Sequence, residues 1–231
     1  MSLRNASLSG ELPSKGYPYD LPAVRALPLD LSAPITVLVG ENGSGKSTLV
    51  EAIAVAAGFN AEGGSGQATF HTTPSHSPLE GFMRLSWSPR LPLGWFLRSE
   101  SFYNVASYRD ANPSSNPNDP SYHEMSHGES FLEVARSWFH QPRFSVLDEP
   151  EAALSFTGQL ALVHALLRGV DAGAQFIVAP PSPLLMALPG ARIHELDGEG
   201  VTERTYDELE VVALWRDFLD GPERFLRHLR P

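Results

Sequence analysis

The chain has 231 residues, 42% of them hydrophobic and 19% charged, with a formal net charge of −10 and no cysteine. This length suits one large domain or two small ones around a buried core, and the missing cysteines exclude disulfides and thiolate metal sites. No apolar run is long enough to span a bilayer, and the acidic balance, without a Lys/Arg cluster, argues against strong duplex binding. The stretch MSLRNASLSGELPSKG has no apolar signal core, so the expected location is the cytoplasm.

Residues 1–20 are rich in Gly, Pro, Ser and Tyr and read as irregular or edge structure. Leu21–Leu31 alternates well enough for one or two short strands. Ile35–Gly40 (ITVLVG) is a short β-branched run ending in Gly, the pattern of a buried strand. Ser47–Gly58 has helical spacing through Leu49, Ile53 and Ala57, and Gly58 is placed to stop it. Residues 59–80 read as a loop, GFMRLSWS and GWFLRSE as strands, and Asp110–Tyr122, with its three prolines, as a loop. Glu129–His140 is helical. Arg143–Pro150 (RFSVLDEP) is a buried strand running into two acids. SFTGQLALVHALLRG is a helix and AQFIVAP a further apolar strand. ARIHELDGEGVTERTY has the shape of a hairpin turning at Asp197-Gly198. Asp207 is placed to cap a final helical region, with Glu210 as its capping-box partner. The alternation of strands and helices predicts an α/β fold with a mostly parallel central sheet, helices on both sides and an N-terminal antiparallel β portion.

GENGSGKST (Gly40–Thr48) matches G-x-x-x-x-G-K-[ST], with an apolar strand before it and a helix after it, the context a P-loop requires. The glycines let the backbone of Glu41, Asn42, Gly43, Ser44 and Gly45 curl so that N–H groups point at phosphates. Lys46 supplies a cation, the Ser47 hydroxyl a Mg²⁺ ligand, and Thr48 continues the helix start with its dipole. A P-loop also needs a carboxylate. Asp148 is the expected Mg²⁺ partner, and Glu149 beside it is the expected general base for an attacking water.

HEMSHGES (His123–Ser130) has two readings. His123, Glu124 and His127 spell the zinc-protease pattern, which needs both histidines on one face of a helix. A Pro/Asn loop before His123 and Gly128 after His127 place the helix start after the pattern, which disfavours zinc. His71 and His76 lie in a polar loop and read as solvated.

GENGSGKST, MSHGES and VLDEPEAALS, in this order, resemble the motifs of the ABC-type ATPase superfamily, and most of all its soluble branch near RecF- and SMC-type heads. The resemblance spans about residues 21–206 and implies a P-loop NTPase fold over 1–231 as one domain, with 59–125 as the insert between P-loop and signature. It implies ATP and Mg²⁺ as cofactors. Ser126, His127, Gly128 and Glu129 would then cap the γ-phosphate of an ATP held by a second subunit, giving a homodimer across two ATP molecules. Ser126 and Asp148 are 22 residues apart, room for one helix and one strand. EAALS (Glu151–Ser155) would be the D-loop.

Three positions depart from the family. His127 stands where it has a Gly. Pro180-Pro181 stands where it tends to have Thr and a switch His, and His194 on the next strand is a poor substitute. The Q-loop Gln is missing; Glu100 is the nearest candidate for water-mediated contact with Mg²⁺, with Arg98 close by. Tyr17 and Tyr19 are candidates for adenine stacking. With 79 residues between Ser47 and Ser126 and no heptads, the chain resembles a head without a coiled-coil arm. The resemblance points to an ATP-dependent dimerisation switch in DNA repair or defence, with an unknown protein partner. The alternatives are the ATPase subunit of a membrane transporter docking on a permease, or a regulatory nucleotide-binding protein with weak turnover.

Overall fold

The computed structural model describes residues 3–65, 77–98 and 125–227. A seven-stranded sheet runs through the middle. Its parallel part consists of β3 (Ile35–Gly40), β6 (Leu93–Arg98), β7 (Phe144–Asp148), β8 (Gln175–Ala179) and β9 (Arg192–Leu196). In space the order is β9-β3-β8-β7-β6, closed at its two edges by the antiparallel β10 (Val201–Arg204) and β4 (Gly64–Ser65). A second sheet is antiparallel: β1 (Leu3–Leu8) lies between β2 (Leu29–Asp30) and β5 (Met83–Trp87).

The strand pattern explains the layers. In β3 the odd residues Ile35, Val37 and Val39 enter one core and Leu38 enters the other, as the two-residue pleat demands. The first core also takes Phe131 and Val134 of α3 (His127–Trp138), Leu162 and Leu166 of α4 (Phe156–Asp171), Leu185 of α5 (Pro183–Met186) and Val212 of α6 (Glu210–Asp220). The second takes Leu49, Val50 and Ile53 of α2 (Lys46–Ala57) together with Leu3 and Ala6 of the small sheet. Helices therefore cover both faces of a mostly parallel sheet. Each fully buried Leu or Phe contributes about 1.5–3 kcal/mol of hydrophobic stabilisation.

Four local expectations are corrected. Residues 3–8 are not irregular: β1 is the middle strand of its sheet, with Leu3 and Ala6 buried, and Gln175 fastens its start by accepting from Leu3 N at 2.7 Å and donating to Leu31 O at 2.7 Å. Leu21–Leu31 contains a short helix, α1 (Pro22–Arg25), before β2, because Pro22 at its first position is preset for helical φ. The cap near residue 207 belongs to Thr205 and Glu208, which close a capping box over a 3-10 turn at Tyr206–Glu208; Asp207 bonds Arg216 instead. The helix expected over Glu129–His140 starts at His127 and ends at Trp138.

Candidate nucleotide site

β3, β7 and β8 end on the same side of the sheet, as their parallel register dictates, with Asp148 opposite Ala179. Open α/β sheets bind ligands at this carboxyl edge. There a cavity of about 240 Å³ is lined by residues 41–43 and 45–48 of the loop, by Tyr17 and Leu21, and by Glu149.

The loop has the shape of an anion cradle. Gly43 and Gly45 hold φ of 89° and 88°, a region that side chains other than Gly rarely enter. Gly45 is the N-cap of α2, no side chain caps that helix, and no acid lies in its first turn. The first N–H groups of α2 thus have no side-chain acceptor, and the helix dipole adds to the positive potential there. Lys46 is buried, its Nζ donating to Gly40 O at 3.5 Å, while Ser47 is exposed to the cavity rim. A Cβ at Gly40 would come within 2.6 Å of Leu196 O and Ser44 Oγ, so only Gly fits where the strand enters the loop.

At the end of β7, Asp148 is buried. Glu149 has φ of 50°, and is the one non-glycine residue with a left-handed backbone among the described residues. Its N–H donates to Ala179 O at 3.0 Å, which pins the strained turn to β8. Such a conformation costs on the order of 1–3 kcal/mol and persists where the surroundings enforce it. Here it turns Glu149 into the lining of the cavity. Ser47 and Asp148 offer a hydroxyl and a carboxylate, the hard oxygen donors that suit Mg²⁺.

The start of α3 is built differently. Ser126 is its N-cap: Ser126 Oγ accepts from Glu129 N at 3.3 Å, and Glu129 Oε2 accepts from Ser126 N at 2.9 Å and from Ser126 Oγ at 2.7 Å. These bonds, that from the Ser126 hydroxyl first, hold the exposed Glu129 carboxyl below its ordinary range. Gly128 packs on the turn after Glu149: a Cβ there would meet Ala153 O at 2.7 Å. The two motifs thus touch within one chain, a contact that their spacing does not reveal.

The two tyrosine candidates separate. Tyr17 is 69% exposed, lines the cavity and shares a 2.8 Å hydrogen bond between its hydroxyl and Thr48 Oγ1. Tyr19 packs edge-on against Phe82 and leaves the site. Arg98 does not face the cavity: its Nη1 bonds Glu51 Oε2 at 2.7 Å and Ala61 O at 3.1 Å, tying β6 to α2. His194 is buried, with Nε2 at 2.8 Å from Asp30 O, and takes no part in the lining. Glu100, His71, His76, His123 and most of the 59–125 insert lie outside the described residues. Among the described residues no three His, Cys, Asp or Glu side chains gather as a metal site would require. Sequence reasoning named Glu151, the third acid of DEPE, only as the first residue of EAALS and gave its carboxyl no role. It is 5% exposed and lies behind Glu149 and Lys46.

Residues 21–84 match a family model described as an AAA domain. A search of curated proteins gives no match. Among solved structures, the chain is similar to the SMC head domain from Thermotoga maritima at 19% identity, covering 88% of this chain and 98% of that one, with a TM-score of 0.47. It is also similar to an SMC head bound to the C-winged helix domain of ScpA, at 14% identity over 88% of this chain and 97% of that one, with a TM-score of 0.49. A metal-chelate type ABC transporter in an inward-facing conformation matches at 15% identity over 90% and 84%, with a TM-score of 0.44. At these identities and scores the likenesses carry no functional argument. Residues 21–84, which hold the P-loop, are thus similar to an AAA domain, and the three motifs, in their order along an α/β fold, resemble those of ABC-type ATPases near SMC- and RecF-type heads.

Proposed function

We propose that the chain, read as one domain over 1–231, binds ATP at the Gly40–Thr48 loop and acts as an ATP-dependent dimerisation switch in the cytoplasm, with hydrolysis to reset it. The observation that carries this is the pairing of an uncapped, left-handed-glycine helix start with a strained Glu149 across one cavity. The α2 N–H groups and Lys46 take the phosphates, and Tyr17, exposed on the rim, offers a ring face to the base. Ser47 and Asp148 are the residues that hold Mg²⁺, which when bound neutralises charge on the phosphate oxygens. Glu149 accepts the proton of the attacking water, a role that the fixed turn prepares by aiming the carboxylate into the cavity. Ser126, His127, Gly128 and Glu129 serve the ATP of a second copy. Hydrolysis is slow, because Pro181 has neither a side-chain donor nor an N–H to offer the γ-phosphate. Calorimetric titration with Mg-ATP tests the reading: a Lys46→Ala variant that binds as tightly as the unmodified chain overturns it.

A second reading, a regulatory nucleotide binder with little turnover, is favoured by the same Pro180-Pro181 segment. A turnover no faster than that of Glu149→Gln would select it. DNA repair or defence is the setting suggested by the motif wording. A protein partner fits that setting better than a membrane permease does, and no helix among the described residues is long and apolar enough to cross a membrane.

A further inference from the structure

Glu151 is a carboxylic acid that the ATPase reading leaves without a task. It follows Glu149 by two residues and is 5% exposed. Its Oε1 accepts from Ser182 N at 2.6 Å, while Oε2 is buried and has no hydrogen-bond partner. Ser182 is the residue directly after Pro180-Pro181, and it caps α5 by accepting from Leu184 N at 3.3 Å. Its hydroxyl donates to Gln159 Oε1 at 2.7 Å, and Gln159 Nε2 donates to Leu154 O at 3.4 Å. Leu154 in turn lies against Gly128, where a Cβ would meet its Cδ2 at 3.3 Å. A chain of hydrogen bonds therefore joins the acid turn to the loop after β8, and the packing of Leu154 on Gly128 connects it to the start of α3. Glu151 takes the first N–H that the loop after β8 can give, since the two prolines before Ser182 have none.

We propose that Glu151 is a positioning residue for Glu149: by holding Ser182 N it fixes the loop after β8 and, through it, the strained turn that aims Glu149 into the cavity. This deepens the ATPase reading and rests on it. The carboxyl acts here as an acceptor, and one oxygen of a neutral amide can do the same. Geometry rather than charge is then what matters.

The test compares the full chain with Glu151→Ala and Glu151→Gln by amide hydrogen exchange and by turnover at saturating Mg-ATP. With Ala, the Ser182, Leu184 and Leu185 amides should lose protection and kcat should fall by about 10- to 100-fold, as expected for a misplaced reacting group, with KM changed less than twofold. With Gln, protection and most of the turnover should return. Unchanged protection or unchanged kcat in the Ala variant overturns the proposal, as does a Gln variant as slow as Ala. If the unmodified chain turns over no ATP at all, the hydrolysis reading fails with it, and the exchange comparison alone decides whether Glu151 fixes the loop.

Discussion

The proposed function assigns phosphate binding to two helix starts, and they are built in opposite ways. α2 begins at a left-handed Gly45 with no side-chain cap and no acid in its first turn. α3 begins at Ser126, whose cap is closed by the carboxylate of Glu129. Every helix leaves its first N–H groups without an internal partner. At α2 they are left for a ligand, and the helix is stabilised instead by burial of Leu49, Val50 and Ile53. At α3 the Ser126 hydroxyl takes the Glu129 N–H and the Glu129 carboxylate closes the cap, so a phosphate arriving there would meet a resident anion. The first terminus is organised to bind within the chain. On the proposed reading the second competes with its own cap, so engagement of a partner's ATP would be the weaker and more easily tuned step.

The largest expected effect breaks the first terminus. Lys46→Ala should remove detectable Mg-ATP binding in calorimetry, since it deletes the buried cation of the cradle while leaving the glycines in place. Next, Glu149→Gln should lower turnover by about 10²–10⁴-fold in a phosphate-release assay, the usual range for a lost general base, with ATP affinity retained. The comparison is sharpened at the second terminus. Glu129→Gln keeps the capping geometry and removes the resident charge, so ATP-dependent self-association should tighten several-fold in analytical ultracentrifugation. Ser126→Ala should instead cost about 1 kcal/mol of stability in a denaturant melt, the typical value of a lost N-cap.

A further effect is read in pH. Burial, above all, pushes the Glu151 carboxyl up to about 7 from its ordinary 4.5, with the Glu149 charge adding to the rise, while backbone N–H groups and Lys46 oppose it. A raised folded pKa means that this group's contribution is fully present below about pH 4.5 and is lost as pH climbs through 7. The full span is at most about 3 kcal/mol. Melting temperature followed from pH 8 down to 6 should therefore rise in the unmodified chain relative to Glu151→Gln. A parallel pair of curves would contradict that.

Where the sequence was legible, the information was local. The run ITVLVG followed by the P-loop spacing shows strand, cradle and helix without any distant contact, and DEP at the end of an apolar strand does the same for Asp148 and Glu149. β1 was hidden because its composition is polar and its main partner, β5, lies almost eighty residues away, with Leu8 facing Met83. The short helix at Pro22–Arg25 was hidden by an alternating pattern that its proline overrides. Asp207 and Glu210 had capping-box spacing, but so did Thr205 and Glu208, and tertiary placement chose the latter. Tyr17 and Tyr19 could not be separated until packing sent one to the cavity and the other to Phe82. The role of the Glu151 carboxyl was not legible, because its burial depends on the loop after β8, which approaches only in the fold.

The central claim is that one copy's open α2 terminus holds ATP and a second copy's α3 terminus closes over it. Light scattering of Glu149→Gln with saturating Mg-ATP tests it most directly, because the bound nucleotide then survives the measurement. The account predicts a mass that doubles on adding ATP and returns to that of a single chain when Ser126 and Gly128 are both replaced. A Glu149→Gln protein that binds ATP yet stays monomeric would contradict it.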